Sequence, residues 1–396
     1  MPLAPEIGNA IDRAVDACAA DLLALSGRIH AHPELRFEEH KASAWIADFL
    51  SQRGHRVERG VAGMPTAVRA SSSSSEVGRR PCAAILAEYD ALPGVGHACG
   101  HNLIATAATG AFVAAAAVVS GVGGEVILLG TPAEEGGGGK IEMIKAGIFE
   151  RIDAAMMFHP FDRDLLMHPT LASLWLVFEF RGTPSHAAAA PQAGTSALTA
   201  CLDTFRLIDG QRVHFRDGVR VHGFVTNGGQ AVNIIPELAA CEFSVRAPDG
   251  KELERVCGIV QRCARAAAMA SDVEIDLQVR QGYRDMVTNE ALARRFGAHL
   301  EGLGRRPMDR DPRVGTGSTD MGDVSHVVPA IHPWLAIVDE GAALCHEHRF
   351  GEAAATERAG RTAIVAAKAL ARTAVEFLAD DELRAAVSAE WQRREQ

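Results

Sequence analysis

Cys99 and His101 stand two positions apart in the run His97-Ala98-Cys99-Gly100-His101-Asn102, and a paired acid, Glu134-Glu135, follows in a separate segment. Tyr89-Asp90 closes one apolar run, Thr131-Pro132-Ala133-Glu134-Glu135 closes the next, and His159-Pro160 closes a third. Thiolate, imidazole and carboxylate are the donors that borderline cations such as zinc accept. Glu134, beside the candidate ligand Glu135, has no need to bind a cation. It is placed instead to take a proton from a water whose pKa a cation lowers towards neutrality. Four consecutive glycines, Gly136 to Gly139, let the backbone pass close to such a cluster. Taken singly, each feature has a plainer reading: Cys99 as a buried structural thiol, Glu134-Glu135 as a solvated turn, His159 as a hydrogen-bonded histidine at a strand edge.

The elements that must position these residues are read from periodicity. Glu6 to His30 predicts a helix, and a second follows Pro33, with Ala42, Trp45, Ile46, Phe49 and Leu50 at helical spacing and Gly54 as its stop. Ser71 to Ser75 reads as a low-complexity loop. Cys82–Ala87, Glu125–Gly130 and Ala154–Phe158 read as buried strands, interleaved with helices over Asn102–Val119 and Lys140–Ala146. This alternation predicts an α/β fold: a mostly parallel sheet covered by helices, with ligand sites beyond the carboxyl ends of its strands. Asp90, Glu134, Glu135 and His159 all fall at such ends.

The middle of the chain changes character. Strands are expected at Leu174–Arg181, Val219–Thr226, Ala239–Arg246 and Val273–Val279, with helices over Pro191–Ile208 and Lys251–Ala270. This α+β pattern predicts a smaller inserted domain over residues 172–282, between catalytic segments 1–171 and 283–396. A long helical region, Glu352–Ala379, ends the fold.

Composition bounds the rest. A chain of 396 residues suits two domains. Aromatic residues make up only 5% while alanine and glycine abound, so helix–sheet contacts should rely on small residues. The net charge of −10 argues against a nucleic-acid partner. The most apolar run, Leu103 to Val119, reads as a buried helix rather than a membrane span, and the acidic start (Glu6, Asp12, Asp16, Asp21) does not read as a signal peptide. Eight scattered cysteines suggest reduced thiols and a cytoplasmic setting.

Four longer motifs carry a resemblance: Ala87-Glu88-Tyr89-Asp90-Ala91-Leu92-Pro93, the Cys-Gly-His segment, Pro132-Ala133-Glu134-Glu135-Gly136-Gly137, and Gly228-Gly229-Gln230-Ala231-Val232-Asn233-Ile234-Ile235-Pro236. Together they resemble the aminoacylase-type dinuclear metallopeptidase superfamily. The Cys-Gly-His form resembles its amidohydrolase branch, which includes auxin-conjugate amidohydrolases, p-aminobenzoyl-glutamate hydrolase and β-alanyl-lysine dipeptidase. The likeness runs from His32-Pro33-Glu34 to about His348, most of the chain.

The resemblance implies a catalytic domain with two divalent cations, zinc first and manganese next, and an inserted domain that forms a homodimer. It implies metal ligands at Cys99, His101, Glu135, His159 and His346, a general base at Glu134, and Asp90 orienting a ligand from behind. His346 is preferred to His348 by motif position. His186 in the inserted domain corresponds to a histidine that polarises the scissile carbonyl. Asn233 corresponds to a substrate contact, Arg246 could grip a carboxylate, and Ser318 and Thr319 fall in a segment that lines the pocket. Asn102 departs from the aspartate that many relatives carry, which would change the charge near the cations. His97 and His168 read as structural or rim histidines. The expected activity is hydrolysis of a small amide: an N-acyl amino acid, a dipeptide or an aryl-amide conjugate. Hydrolytic deamination of an activated aromatic amine, a non-catalytic binding role, and a cysteine hydrolase using Cys99 are the competing readings.

Overall fold

The computed structural model describes residues 3–72 and 80–393. Its chain forms two compact units, one from residues up to Pro169 together with Met286 onward, the other Thr170–Asp285.

The first unit is organised around strands that are apolar along their whole length, as coverage on both faces demands. Its elements are α1 (Pro5–Ala31), α2 (His40–Ser51), β1 (Arg56–Arg59), β2 (Val68–Ser71), β3 (Cys82–Ala87), α3 (His101–Val118), β4 (Glu125–Gly130), α4 (Gly139–Lys145), β5 (Ala154–Met156) and β6 (His159–Phe161). Every residue of β3 is buried. The sheet order is β1-β2-β4-β3-β5 with a last short strand, Ala330–Ile331, at the far edge. From β4 to that edge all pairs are parallel, while β1 and β2 add an antiparallel margin. The α/β architecture with a parallel-rich sheet is therefore the one expected. Helix α3 is alanine-rich and almost wholly buried. At Gly110 a Cβ would come within 2.7 Å of the Leu22 side chain, so small residues do set the helix spacing.

The second unit is a four-stranded antiparallel sheet with two helices. Its elements are β7 (Ala172–Arg181), α5 (Ala197–Gln211), β8 (Arg220–Asn227), β9 (Leu238–Ala247), α6 (Gly250–Ala270) and β10 (Glu274–Arg280), in sheet order β10-β7-β9-β8. Ala239, Cys241, Phe243, Val245 and Ala247 alternate inward on β9. The two ends of this unit meet. Ser173 N donates to Tyr283 O at 2.8 Å, and Tyr283 N donates to Ser173 Oγ at 3.3 Å. Gly282 passes so close that a Cβ there would sit 1.8 Å from Ser173 O.

The chain returns to the first unit with α7 (Glu290–Gly302), α8 (Met321–Ser325), β11 (Ala330–Ile331), β12 (Trp334–Ala336), α9 (His348–Ala353), α10 (Glu357–Ala379) and α11 (Asp381–Arg393). The long helical region expected over Glu352–Ala379 consists of the end of α9 and all of α10, divided where Thr356 caps α10 by accepting from Ala359 N at 3.3 Å. The helix expected from Pro191 starts instead at Ala197, where Ser196 accepts from Thr199 N at 3.2 Å; Pro191–Ala193 is a short 3₁₀ turn. The strand expected over Ala154–Phe158 is shorter, and His159 opens a separate strand, β6, paired with β12. Ser71 ends β2 rather than opening a loop, and Ser73 to Ser75 lie outside the described residues.

Among the described residues one helical stretch, His101–Gly121, is long and apolar enough to cross a membrane, and 72% of its apolar window is buried within the fold.

Candidate metal centre

The carboxyl ends of β3 and β4 deliver the acids. Glu88 and Asp90 follow β3, and the Glu134-Glu135 turn follows β4. That turn is forced. Ala133 takes a left-handed φ of 61°, and its N–H donates to buried Glu39 Oε1 at 2.8 Å. Gly139 then approaches Pro132 so closely that a Cβ would lie 1.9 Å from the Pro132 carbonyl oxygen. Gly100, with φ of 73°, turns the chain into α3 and packs on Pro160, where a Cβ would meet Cγ at 2.9 Å. These close approaches bring Cys99 and His101 against the segment that carries His159.

Three overlapping donor groups result, the donor atoms of each group lying within 4.8 Å of one another: Cys99, His101 and His159; Cys99, Glu135 and His346; and His101, Glu134 and Glu135. All five expected ligands thus fall in one cluster, and Glu134 falls within it too. Asp90 sits behind them. Its Oδ1 accepts from His101 Nδ1 at 2.9 Å, and its Oδ2 accepts from Glu135 N at 2.9 Å. With Nδ1 so committed, His101 faces the cluster with Nε2, which is buried and has no hydrogen-bond partner. His159 Nδ1 is engaged by Pro160 O at 2.7 Å, again turning the other nitrogen to the cluster. His346 Nε2 lies 3.6 Å from Glu135 Oε1 and is the exposed member, on a left-handed φ of 75°.

The electrostatics favour a cation. Burial pushes the Glu134 carboxyl well above its usual range, and the charges of Glu88, Glu135 and Asp320 add to this. Burial disfavours charge on His101, but Asp90, Glu88 and Glu135 outweigh it and raise that imidazole well above its ordinary pKa. Burial also opposes ionised Glu135. His346 beside the carboxylate, together with the charge of His101, reverses this and brings it down to about 2. Burial, followed by the charge of His101, lowers His159 to about 4, so it stands as a neutral donor. Thiol, imidazole and carboxylate donors converge around orphaned buried atoms, a set that fits borderline divalent cations.

Several participants escape sequence reasoning. Lys140 is fully buried and donates from Nζ to Glu88 Oε1 and Asp320 Oδ1, both at 2.6 Å. A lysine after four glycines gives no signal of burial. Cys345 donates from Sγ to Pro160 O at 3.9 Å, and its thiol together with burial pushes the Cys99 thiol well above its usual range. His332 accepts from Trp334 Nε1 at 3.2 Å and stacks edge-on against His159, with ring centroids 5.4 Å apart.

Other expected residues fall elsewhere. Asn102 does not face the cluster: its Nδ2 donates to Ser26 Oγ at 2.9 Å and to Ala354 O at 3.1 Å, joining α3 to α1. His97 is buried and bonded to Ile29 O at 3.1 Å, and His168 is also buried, so neither is a rim residue. His348 is exposed at the start of α9. Thr319 is buried with Oγ1 accepting from Met321 N at 3.1 Å, and Ser318 Oγ is buried without a partner. Within the second unit, His186 Nδ1 accepts from Ala188 N and Ala189 N at 3.2 and 3.1 Å, and Ala187 N donates to Asn233 O at 2.9 Å. His186 and Asn233 are thus neighbours. Arg246 lies on β9, and burial lowers its pKa.

Comparison with known proteins places this arrangement. The family model described as peptidase family M20/M25/M40 matches residues 84–363. The Xaa-Arg dipeptidase of Mus musculus is 37% identical over 377 residues, spanning 92% of this chain and 87% of the relative. A p-aminobenzoyl-glutamate hydrolase polypeptide of Escherichia coli K12 is 32% identical over 311 residues, spanning 72% of this chain and 63% of the relative. Among solved structures, the aminobenzoyl-glutamate utilization protein of Klebsiella pneumoniae superposes with a TM-score of 0.73 at 18% identity, covering 93% of this chain and 98% of that one. The YXEP protein of Bacillus subtilis, described as a dinuclear metal-binding peptidase, gives 0.72 at 20% identity, with 92% and 99% covered. The chain belongs to peptidase family M20/M25/M40 and is a metal-dependent hydrolase acting on C–N bonds.

Proposed function

We propose that this enzyme hydrolyses the amide bond of a small N-acyl amino acid, dipeptide or aryl-amide conjugate, using two divalent cations held by Cys99, His101, Glu135, His159 and His346. The observation that carries this reading is that those five donors fall in overlapping groups linked through Cys99, His101 and Glu135, with His101 Nε2 buried and lacking a hydrogen bond. The thiolate favours zinc, with manganese next. The names of the mouse and Escherichia coli relatives support dipeptides and acylated amino acids as the substrate class.

Bound divalent cations lower the pKa of a coordinated water and polarise a carbonyl. The chain's own residues supply the rest. Glu134 takes the proton from the attacking water and passes it to the leaving nitrogen. Asp90 keeps His101 in the tautomer that offers Nε2. His186, whose Nδ1 is occupied as an acceptor, carries its proton on Nε2 and donates to the developing oxyanion. Asn233, Ser318 and Thr319 contact substrate, and Arg246 grips a carboxylate. The inserted unit serves as a homodimerisation and lid domain. Eight free cysteines suit a reducing, cytoplasmic setting.

The test is a panel of N-acyl amino acids, β-alanyl dipeptides, p-aminobenzoyl-glutamate and activated aryl amines, assayed on chelated enzyme before and after zinc or manganese. Metal-restored cleavage of an amide is the expected result. Silence on every amide at full metal occupancy, with release of ammonia from aryl amines, would replace this reading by deamination.

The last ligand is tested separately. His346→Ala should weaken cation binding by more than the roughly 10–100-fold that loss of an outer partner brings. His348→Ala, a change at an exposed helix start, should bind like the parent. Calorimetric titration decides between them, and the reverse pattern would move the ligand to His348.

A further inference from the structure

Glu88, Lys140 and Asp320 lie outside the donors assigned above, and all three side chains are fully buried. They come from three places: the end of β3, the first turn of α4, and the residue before α8. Lys140 Nζ donates to Glu88 Oε1 and to Asp320 Oδ1 at 2.6 Å, and Lys140 N donates to Asp320 Oδ2 at 3.1 Å. The ammonium therefore occupies only one of the two Glu88 oxygens. The other, Oε2, is sealed from solvent and has no hydrogen-bond partner. It lies 3.5 Å from His101 Nε2, an ion-pair distance for a protonated imidazole, and that nitrogen is equally buried and equally without a hydrogen bond.

Buried polar atoms are almost always satisfied, so two orphans side by side mark a place that a third body completes. A counter-ion for Lys140 would need only Oε1. The direction of Oε2 is what that simple role leaves unexplained. We infer that Glu88 is a positioning residue for the cation at His101: Lys140 anchors it through Oε1, and Oε2 holds a fixed negative charge beside Nε2. The inference rests on the two-cation reading above. Asp320 completes the anchor with both of its oxygens turned to Lys140, which makes it the natural control.

Glu88→Gln keeps the side-chain shape and its acceptor for Lys140, but turns an N–H towards His101 Nε2. That donor competes for the lone pair a cation requires. Asp320→Asn disturbs the same lysine from the other side. The parent and both variants would be stripped with chelator, checked for folding by circular dichroism, and titrated with Co²⁺ by calorimetry and visible absorption. The expected result is that Glu88→Gln weakens one Co²⁺-binding event by about 10–100-fold and shifts the absorption band. Asp320→Asn, which acts on the cation only through the lysine, should cost clearly less affinity than Glu88→Gln, and Glu88→Asp should recover part of the loss. Unchanged binding in Glu88→Gln, or equal losses in Glu88→Gln and Asp320→Asn, would overturn the positioning role. A parent that takes up no Co²⁺ would overturn the cation reading itself, which separates the two failures.

Discussion

Glu134→Gln should lower kcat by about 10²–10⁴-fold while cation uptake stays at the parent level. Glutamine matches the shape and keeps an acceptor oxygen, but it cannot receive a proton. The residue is 7% exposed, the charges of Glu88, Glu135 and Asp320 bear on it, and burial already draws its carboxyl towards protonation. Single-turnover kinetics on the restored enzyme, paired with metal analysis, would measure both halves. The pairing matters because Glu134 also falls in a donor group with His101 and Glu135. A variant that loses a cation along with its activity would make Glu134 a ligand and leave the proton transfer to another group.

Lys140→Met should produce the largest loss of stability, about 3–5 kcal/mol in urea denaturation of the metal-free protein. Methionine fills most of the lysine's volume, so the loss is not that of a cavity. It comes from leaving Glu88 and Asp320 buried without their shared ammonium. Asp320 carries a pKa of about 6 even with Lys140 present, because burial outweighs the ion pair. A folded-state value above the unfolded one favours the fold at low pH and weakens it as pH rises. Removing the lysine takes away the charge that opposes this shift and pushes Asp320 further in that direction. The penalty should therefore be larger at pH 8 than at pH 5, and a pH-independent penalty would mean the lysine acts by packing alone.

Much of this site was legible because chemistry and punctuation coincide in the chain. Buried parallel strands are written as apolar runs, so β3 and β4 show their limits and the residues just beyond them, Asp90 and Glu134-Glu135. Gly100 and the Gly136–Gly139 run mark backbone that must approach closely. What escaped has no local signature. Lys140 reads as an ordinary helix lysine, and only the meeting of α4, β3 and α8 buries it. Asn102 sits in the motif yet turns to α1, because the first turn of a helix points successive residues in different directions. Helix breaks were equally hidden: Ser196 and Thr356 are caps, and a hydroxyl in an otherwise helical stretch does not declare itself as one.

The closure between Ser173 and Tyr283 has a consequence for how such a chain can change over generations. A segment whose two ends are tied together at its own base burdens its host as a short loop does, since closure entropy depends on the gap being spanned. The block Thr170–Asp285 can then be exchanged by recombination as one contiguous stretch of gene, with the strand ends that carry Asp90, Glu134 and His159 left in register. Gly282 is the fastening, because any larger residue would strike the Ser173 carbonyl and open the seam.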